Sequence, residues 1–273
     1  MIPNSKLMGV ISNTFNRSFK KFFTISYYGV LKLVLLSALK SKGAHGTTRA
    51  LGFKVKYTDA FAMLGMYNEI VHQQHYEFKA DSDSPTIIDC GSNIGLSLLY
   101  FHKLYPNSKL IGVEADPKIA EVLKENLSKN NCAAEIIEKA LWSSSDEKLS
   151  FGSSGDDSGS LFSEDNTTTV ETIGLKELLS QHKQIDLLKI DIEGAELEVI
   201  HSSKDLLENV KYMFVEFHSF PGKRQGLEDI LKICSEQGFR YKILPAKRVV
   251  KPFIHSDQDK AMDLQLNVFF FRI

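Results

Sequence analysis

The sequence predicts an α/β fold: a doubly wound, mostly parallel sheet with helices on both faces and an antiparallel last strand. Three observations carry this reading. From Pro85 onward, short and nearly continuous apolar strands alternate with amphipathic helices, the pattern of a sheet covered on both sides. The first of those strands runs into TIIDCGSNIG, residues 86–95, where a strand breaks at glycine and re-enters a helix. The last two strand candidates are joined by a coil holding Pro245 and Pro252 and no helix, as when a final strand inserts antiparallel.

The 273 residues suffice for one large domain with an extension, and 43% hydrophobic with 25% charged residues is ordinary for a globular chain. We divide it into a basic and apolar helical extension (1–46), a strand and helix packing on the core (47–84) and the main domain (85–273). Cys90, Cys132 and Cys234 form no CxxC pattern and read as reduced, buried thiols of a cytoplasmic protein. The net charge of −1 hides an asymmetry. Residues 1–58 hold ten Lys or Arg and no acid, leaving 23 basic against 34 acidic residues in the rest. An all-basic arm on an acidic body suggests peripheral contact with an anionic surface such as lipid head groups or an acidic glycan, or an arm packed on the body itself. No nucleic-acid partner is expected.

Along the chain, residues 22–39 (FFTISYYGVLKLVLLSAL) form the most apolar window, with Lys32 in its middle and basic residues on both flanks. Its 18 residues stand at the short edge of a membrane span, about 17–25. Three readings stay open: a helix packed on the domain, one lying in a membrane interface, and an anchor. Residues 43–46 read as a hinge, 51–57 as a short strand and 60–76 as one helix carrying Glu69, His72 and His75. The two histidines, three apart, read as surface or capping residues rather than metal ligands. Strands are expected at 86–90, 110–114, 134–140, 186–191, 211–217, 239–244 and 266–272, and helices at 96–104, 118–129, 175–180, 195–202 and 227–237. Extra short strands flank a Gly/Ser/Asp loop at 152–160, which could close over a ligand or stand idle as a surface hairpin.

In an open parallel sheet, ligands bind beyond the carboxyl ends of the strands. Asp89, Glu114, Asp191 and the pair Glu216 and His218 stand at such ends. Helix capping accounts for an isolated acid but not easily for Glu114, because Asp116-Pro117 already supplies a cap and a first helical position. Glu114 also lies 23 residues beyond Gly91, near the roughly 20 expected of an acid that accepts from ribose hydroxyls. Asn93 stands where a dinucleotide loop has its second glycine, and no Gly-Lys-Ser/Thr follows. Those absences disfavour nicotinamide dinucleotides and P-loop nucleotides and favour a nucleoside without phosphates.

The Asp-x-Gly-x-x-x-Gly turn followed by a ribose acid is similar to the cofactor motifs of S-adenosylmethionine-dependent methyltransferases. IIDCGSNIGLS, the AL-W stretch at 140–142, DLLKIDIEGAELEVI at 186–200 and VEFH at 215–218 together resemble the FkbM family of methyltransferases, over roughly residues 50–245. The resemblance implies a Rossmann-like methyltransferase sheet. It implies that Asp89, Gly91, Ser92, Asn93 and Gly95 cradle the methionine part of S-adenosylmethionine, that Glu114 takes the ribose, and that Ala140 and Leu141 lie against the adenine. It also implies methyl transfer to a hydroxyl of a sugar, polysaccharide or other glycoconjugate.

Such a hydroxyl needs a base or a metal to draw off its proton. Asp191, Glu193, Glu216 and His218 are the groups the sheet would gather there. His218 or Asp191 is the expected base, with Glu216 orienting it; alternatively Asp191, Glu216 and His218 bind a divalent metal. Glu193 and Glu196 also read as first-turn helix acids. Two other functions stay open: a non-catalytic cofactor-binding module docking on a membrane-associated complex, and a methyltransferase with a non-carbohydrate acceptor.

Overall fold

Alternation places Ile87, Leu187 and Phe214 on one face of a central sheet and Ile88, Leu188 and Val215 on the other, so each strand feeds two cores. The computed structural model of the protein describes Val34 and residues 43–152, 167–246 and 262–272. Residues 1–42 of the basic arm, apart from Val34, and the Gly/Ser/Asp loop beyond Gly152 lie outside the described residues.

The chain enters through a hairpin, β1 (Gly46–Ala50) and β2 (Phe53–Tyr57), followed by α1 (Ala60–Tyr67) and a π-helical turn (Asn68–His72). The alternating core then runs β3 (Thr86–Cys90), α2 (Leu96–Leu104), β4 (Lys109–Val113), α3 (Pro117–Lys129) and β5 (Glu135–Ile137). A side sheet follows, made of β6 (Ala140–Trp142), β7 (Lys148–Gly152) and β8 (Thr167–Gly174). Next come α4 (Leu175–Ser180), β9 (Ile185–Ile190), α5 (Glu196–Ser203) with a 3₁₀ turn, β10 (Val210–Ser219), α6 (Leu227–Glu236), β11 (Arg240–Pro245) and β12 (Leu264–Phe271).

The main sheet has seven strands in the order β11-β12-β10-β9-β3-β4-β5. It is parallel except for β12, which inserts antiparallel between β10 and β11. The strand order reverses beside β3, which opens the crevice where such sheets bind ligands. The β1–β2 hairpin, α1, α2 and α3 cover one face, and α4, α5 and α6 the other. Burying side chains such as Ile88, Leu188 and Phe214 contributes roughly 1.5–3 kcal/mol each. Cys90, Cys132 and Cys234 are buried and unpaired.

The structure corrects three local expectations. Residues 43–46 are not simply a hinge: β1 starts at Gly46 and pairs with β2 across a tight turn with positive φ at Leu51 (59°) and Gly52 (93°), the twist that two-residue hairpins prefer. The strand expected at 134–140 divides at Glu138 and Lys139. β5 stays on the main sheet, while β6 leaves it to pair in parallel with β8. The helix expected at 60–76 ends early. Its regular turns stop at Tyr67 and the widened turn at His72, and Gln74 adopts φ 56°. The chain then doubles back so that Tyr76 enters the core.

Candidate active site

The exit of β3 is stapled to its neighbour: the N–H groups of Gly91 and Ser92 both donate to the Val113 carbonyl, at 2.9 and 3.0 Å. Gly91 has φ 82°, and a Cβ there would lie 1.8 Å from the Asp191 carbonyl oxygen. Only glycine lets β3 and β9 end this close together. Asn93 also adopts a left-handed conformation, φ 48°, which Asn tolerates better than most residues. Its side-chain oxygen accepts from the Ile94 N–H at 2.6 Å.

Glu114, just past β4, accepts from the N–H of Asn93 at 2.8 Å and of Asp116 at 2.9 Å. One carboxyl thus clamps both loops that border the crevice. Burial pushes Glu114 up to about 7, against the two backbone N–H groups that favour its ionised form. Asp116 caps α3, accepting from the N–H groups of Lys118 and Ile119.

Below the turn sits a charge cluster that sequence reasoning missed. Lys189, on β9 and 3% exposed, lies 3.2 Å from Asp89 Oδ1, 3.2 Å from Asp191 Oδ2 and 3.0 Å from the Gly91 carbonyl. Burial works to lower its pKa, but Asp191 and Asp89 outweigh that and hold it above its ordinary value. Asp89 is fully buried and accepts from the Ser97 hydroxyl. Burial raises its carboxyl against the pull of Lys189 and Ser97. The only signal in the sequence was a lysine inside an otherwise apolar strand, DLLKI.

A cavity of about 320 Å³ opens at these strand ends. Of the residues expected to bind the cofactor, Gly91, Ser92, Asn93, Glu114, Ala140 and Leu141 line it. Asp89 and Gly95 do not: Asp89 lies beneath the turn on Lys189, and Gly95 packs toward Leu123 at the start of α2. Asp191, Glu193 and Glu216 line the cavity, joined by residues the sequence had not marked for it, among them Glu69, Tyr76 and Gln265.

His218 is fully enclosed behind that wall. Its Nδ1 lies 3.0 Å from Glu196 Oε1, and its Nε2 lies 3.7 Å from both Glu193 and Glu216. Burial alone would lower the imidazole, but Glu196, Glu193 and Asp191 together raise it to about 10. Burial, Asp191 and Glu69 push Glu216 up to about 9. Gln265 donates to Glu216, while its Oε1 is buried without a partner. Asn267 reaches back to Glu69 at 3.2 Å and lies 3.3 Å from His75 Nδ1. His75 is therefore not a surface residue: its ring also meets Phe269 edge-on. His72 is exposed, as expected.

The polar wall follows from register. Asp89 pairs with Lys189 across β3 and β9, and Glu216 with Asn267 and His218 with Gln265 across β10 and β12. The insertion of β12 brings its amides to the site, and nothing local in the sequence marks them. Among the described residues, Asp191, Glu193 and His218 bring ligand atoms within 4.8 Å of one another. The sequence expected Glu216 in that set. The histidine, fixed through its Nδ1 by a buried carboxylate, has the arrangement typical of metal-bound imidazoles, and the donor set fits a divalent ion.

The cavity also suits a phosphate-free nucleoside cofactor. Gly91, Ser92 and Asn93 bring the turn to its wall, Glu114 offers a carboxyl between the two loops, and Ala140, Leu141 and Ile119 supply an apolar side.

Comparison with known proteins identifies the family. The family model described as "Methyltransferase FkbM domain" matches residues 89–241. The methyltransferase sdnD of Sordaria araneosa is 27% identical over 212 residues, covering 64% of this chain and 81% of that protein. The 2-O-methyltransferase NoeI of Sinorhizobium fredii is 29% identical over 169 residues, covering 54% and 68%. Among solved structures, the methyltransferase FkbM of Methylobacillus flagellatus is 12% identical with a TM-score of 0.48, covering 78% of this chain and 53% of that one. With its family domain spanning both the glycine turn and the acid-rich strand ends, the chain belongs to the FkbM methyltransferases, enzymes that depend on S-adenosylmethionine.

Proposed function

We propose that the protein transfers a methyl group to a hydroxyl of a sugar, polysaccharide or other glycoconjugate. The observation that carries this reading is the cluster of Asp191, Glu193, Glu216 and His218 beside the cavity. A hydroxyl acceptor needs a proton acceptor held in place where its oxygen attacks, which this cluster supplies in Asp191, whereas an already nucleophilic amine or thiolate does not. The likeness to a protein named as a 2-O-methyltransferase supports the same class.

S-adenosylmethionine, when bound, supplies a methyl group on a positively charged sulfur. Gly91, Ser92 and Asn93 would hold its methionine part, Glu114 its ribose, and Ala140 with Leu141 its adenine. On the acceptor side, Asp191 is the base we favour over His218. One of its oxygens is held by Lys189, which fixes the carboxylate and leaves the other for the acceptor hydroxyl. His218, raised to about 10, carries a proton at neutral pH and acts by positioning Glu193 and Glu196. Glu216, raised to about 9, is neutral there and serves as a hydrogen-bond donor. Holding donor and acceptor in line supplies much of the rate in such a displacement.

The convergence of Asp191, Glu193 and His218 favours a second reading, in which these three residues, with His218 neutral, would hold a divalent ion whose Lewis acidity would make the acceptor hydroxyl easier to deprotonate. The basic arm fits peripheral contact with an anionic surface.

The test is methyl transfer from labelled S-adenosylmethionine to extracted glycans, with mass spectrometry of the product. We expect Asp191→Asn to lower turnover about 10²–10⁴-fold while leaving S-adenosylhomocysteine binding intact by calorimetry. Transfer that survives both Asp191→Asn and His218→Gln overturns the assignment of the base. Activity unchanged by a chelator argues for the metal-free reading, and loss restored by Mn²⁺ argues for the second.

A further inference from the structure

Glu69, Tyr76 and Gln265 line the cavity from outside the stretch, 89–241, that the family domain matches. The transfer step proposed for the site gives them no task. Register sets them along one row of side chains. Ile190 pairs with Val215 across β9 and β10, so Asp191 and Glu216 follow side by side at the strand ends. Glu216 pairs in turn with Asn267 across β10 and β12, and the Asn267 amide donates to Glu69 Oε1 at 3.2 Å. Asn267 thus stands two strand spacings from Asp191, about 10 Å, and Glu69 lies over that far end of the row.

Glu69 is held by one oxygen only. Besides Asn267, Oε1 has His75 Nδ1 at 3.4 Å. Among the described residues nothing hydrogen-bonds Oε2, and the side chain keeps 22% of its surface exposed on the cavity. The backbone that presents it is the π-helical turn, a rare conformation frequent at functional sites. Tyr76 complements it. Its residue is 3% exposed, and its ring meets Phe214 edge-on at 4.9 Å and lies 5.8 Å from Lys189 Nζ. No described residue hydrogen-bonds its hydroxyl, although a buried tyrosine usually finds a partner. Burial, Glu69, Asp191 and Glu216 hold that hydroxyl well above its ordinary value, so it stays a donor.

A carboxylate oxygen that only accepts, with a phenol that donates, is complementary to a neutral hydroxyl, which does both. We infer that Glu69 and Tyr76 bind a second hydroxyl of the acceptor, so that the enzyme selects neutral polyhydroxylated acceptors and fixes which of their hydroxyls faces Asp191. Gln265 and Asn267 steady the carboxyl groups of Glu216 and Glu69 from β12. An acceptor with a single hydroxyl leaves Glu69 and Tyr76 unpaired, and a site built to hydrogen-bond a hydroxyl rejects molecules that lack it. An acidic group in that place meets the like charges of Glu69 and Asp191. The family domain then supplies the transfer groups, and the segments flanking it choose the acceptor. This inference rests on the reading that the acceptor is a hydroxyl compound.

The experiment is labelled methyl transfer to extracted glycans by the full chain, followed by linkage analysis that locates the methyl group on the sugar. For the parent we expect one methylated position, on a neutral sugar. Glu69→Ala should lower kcat/KM by about 10–100-fold, mainly through KM, and Tyr76→Phe several-fold in the same way. Both should also spread the methyl over neighbouring hydroxyls, which a loss of structural support alone does not do. Affinity for S-adenosylhomocysteine, read by calorimetry, should stay parental. If Glu69→Ala fails to fold, Glu69→Gln and Tyr76→Phe, close to the parent in shape, carry the same test. Variants with the parental KM and a single methylated position overturn the inference and leave the hydroxyl reading standing. A fall in kcat alone with the position unmoved, or a parent that methylates an acidic sugar, does the same. A parent that methylates no glycan at all overturns the hydroxyl reading, and this inference with it.

Discussion

The two ends of the cavity are built by different means. At the end we assign to the methyl donor, one continuous stretch makes the turn, and its close contacts are to backbone: Gly91 and Ser92 on the Val113 carbonyl, Glu114 on two backbone N–H groups. At the end we assign to the acceptor, the contacts are between side chains that come from places far apart. Asn267 meets Glu69 across 198 residues of sequence, and His218 meets Glu196 from a different element. A site of backbone geometry tolerates little change in residue size. A site of converging side chains tolerates changes of size better than changes of charge.

The largest effect should come from the donor end. Gly91→Ala sets a methyl group 1.8 Å from the Asp191 carbonyl oxygen at a residue with φ 82°, so the ends of β3 and β9 must separate. We expect no measurable heat with S-adenosylhomocysteine and a lowered melting temperature. Binding near the parental affinity would show that the turn relaxes, and the contrast between the two ends would fail.

Lys189 joins the ends, and its removal should rank second. Breaking a buried pair by deleting one partner costs about 3–5 kcal/mol, here because Asp89 is left without its cation. Lys189→Met should therefore lose about that much in urea unfolding at pH 7.5. With the cation gone, Asp89 has a folded-state pKa further above its unfolded value. The variant then binds an extra proton on folding, so its deficit should shrink as the pH falls toward 5. Adding Asp89→Asn should restore part of the loss at pH 7.5. A deficit independent of pH would mean that packing, not charge, holds this junction.

The same contrast governs what could be read from residues alone. The glycine turn was legible because it lies in ten consecutive positions: β3 spans the expected Thr86–Cys90 and α2 the expected Leu96–Leu104. Asp191, Glu216 and His218 were legible as polar residues closing apolar strands. Lys189 was not, because a lone lysine in a strand does not announce which carboxylates will flank it. Gln265 and Asn267 were not, because their place depends on β12 pairing with β10, and strand order is a property of the whole sheet. Thr47 and Thr48 lack the large alternating residues that marked β2, which is why β1 was not expected between the hinge at 43–46 and the strand at 51–57. The break after His72 depends on Glu69 and Tyr76 finding partners on distant strands.

The smallest effect separates the roles of a single carboxyl. Glu114 clamps the Asn93 and Asp116 loops and is assigned here to the ribose. Burial raises it to about 7 from an ordinary 4.5. In the free protein it binds a proton more readily than in the unfolded chain, so its contribution to stability falls as the pH rises from about 4.5 to 7. A ribose hydroxyl donates better to the ionised carboxylate, so cofactor binding has the opposite slope. Affinity for S-adenosylhomocysteine should rise between pH 6 and pH 8, by up to about tenfold if only the ionised form binds. Glu114→Gln keeps an oxygen for one loop and cannot ionise; its affinity should be lower at pH 8 and nearly flat across the same range. A parental profile that is already flat would leave Glu114 its clamping role alone and shift the ribose to another group at the donor end.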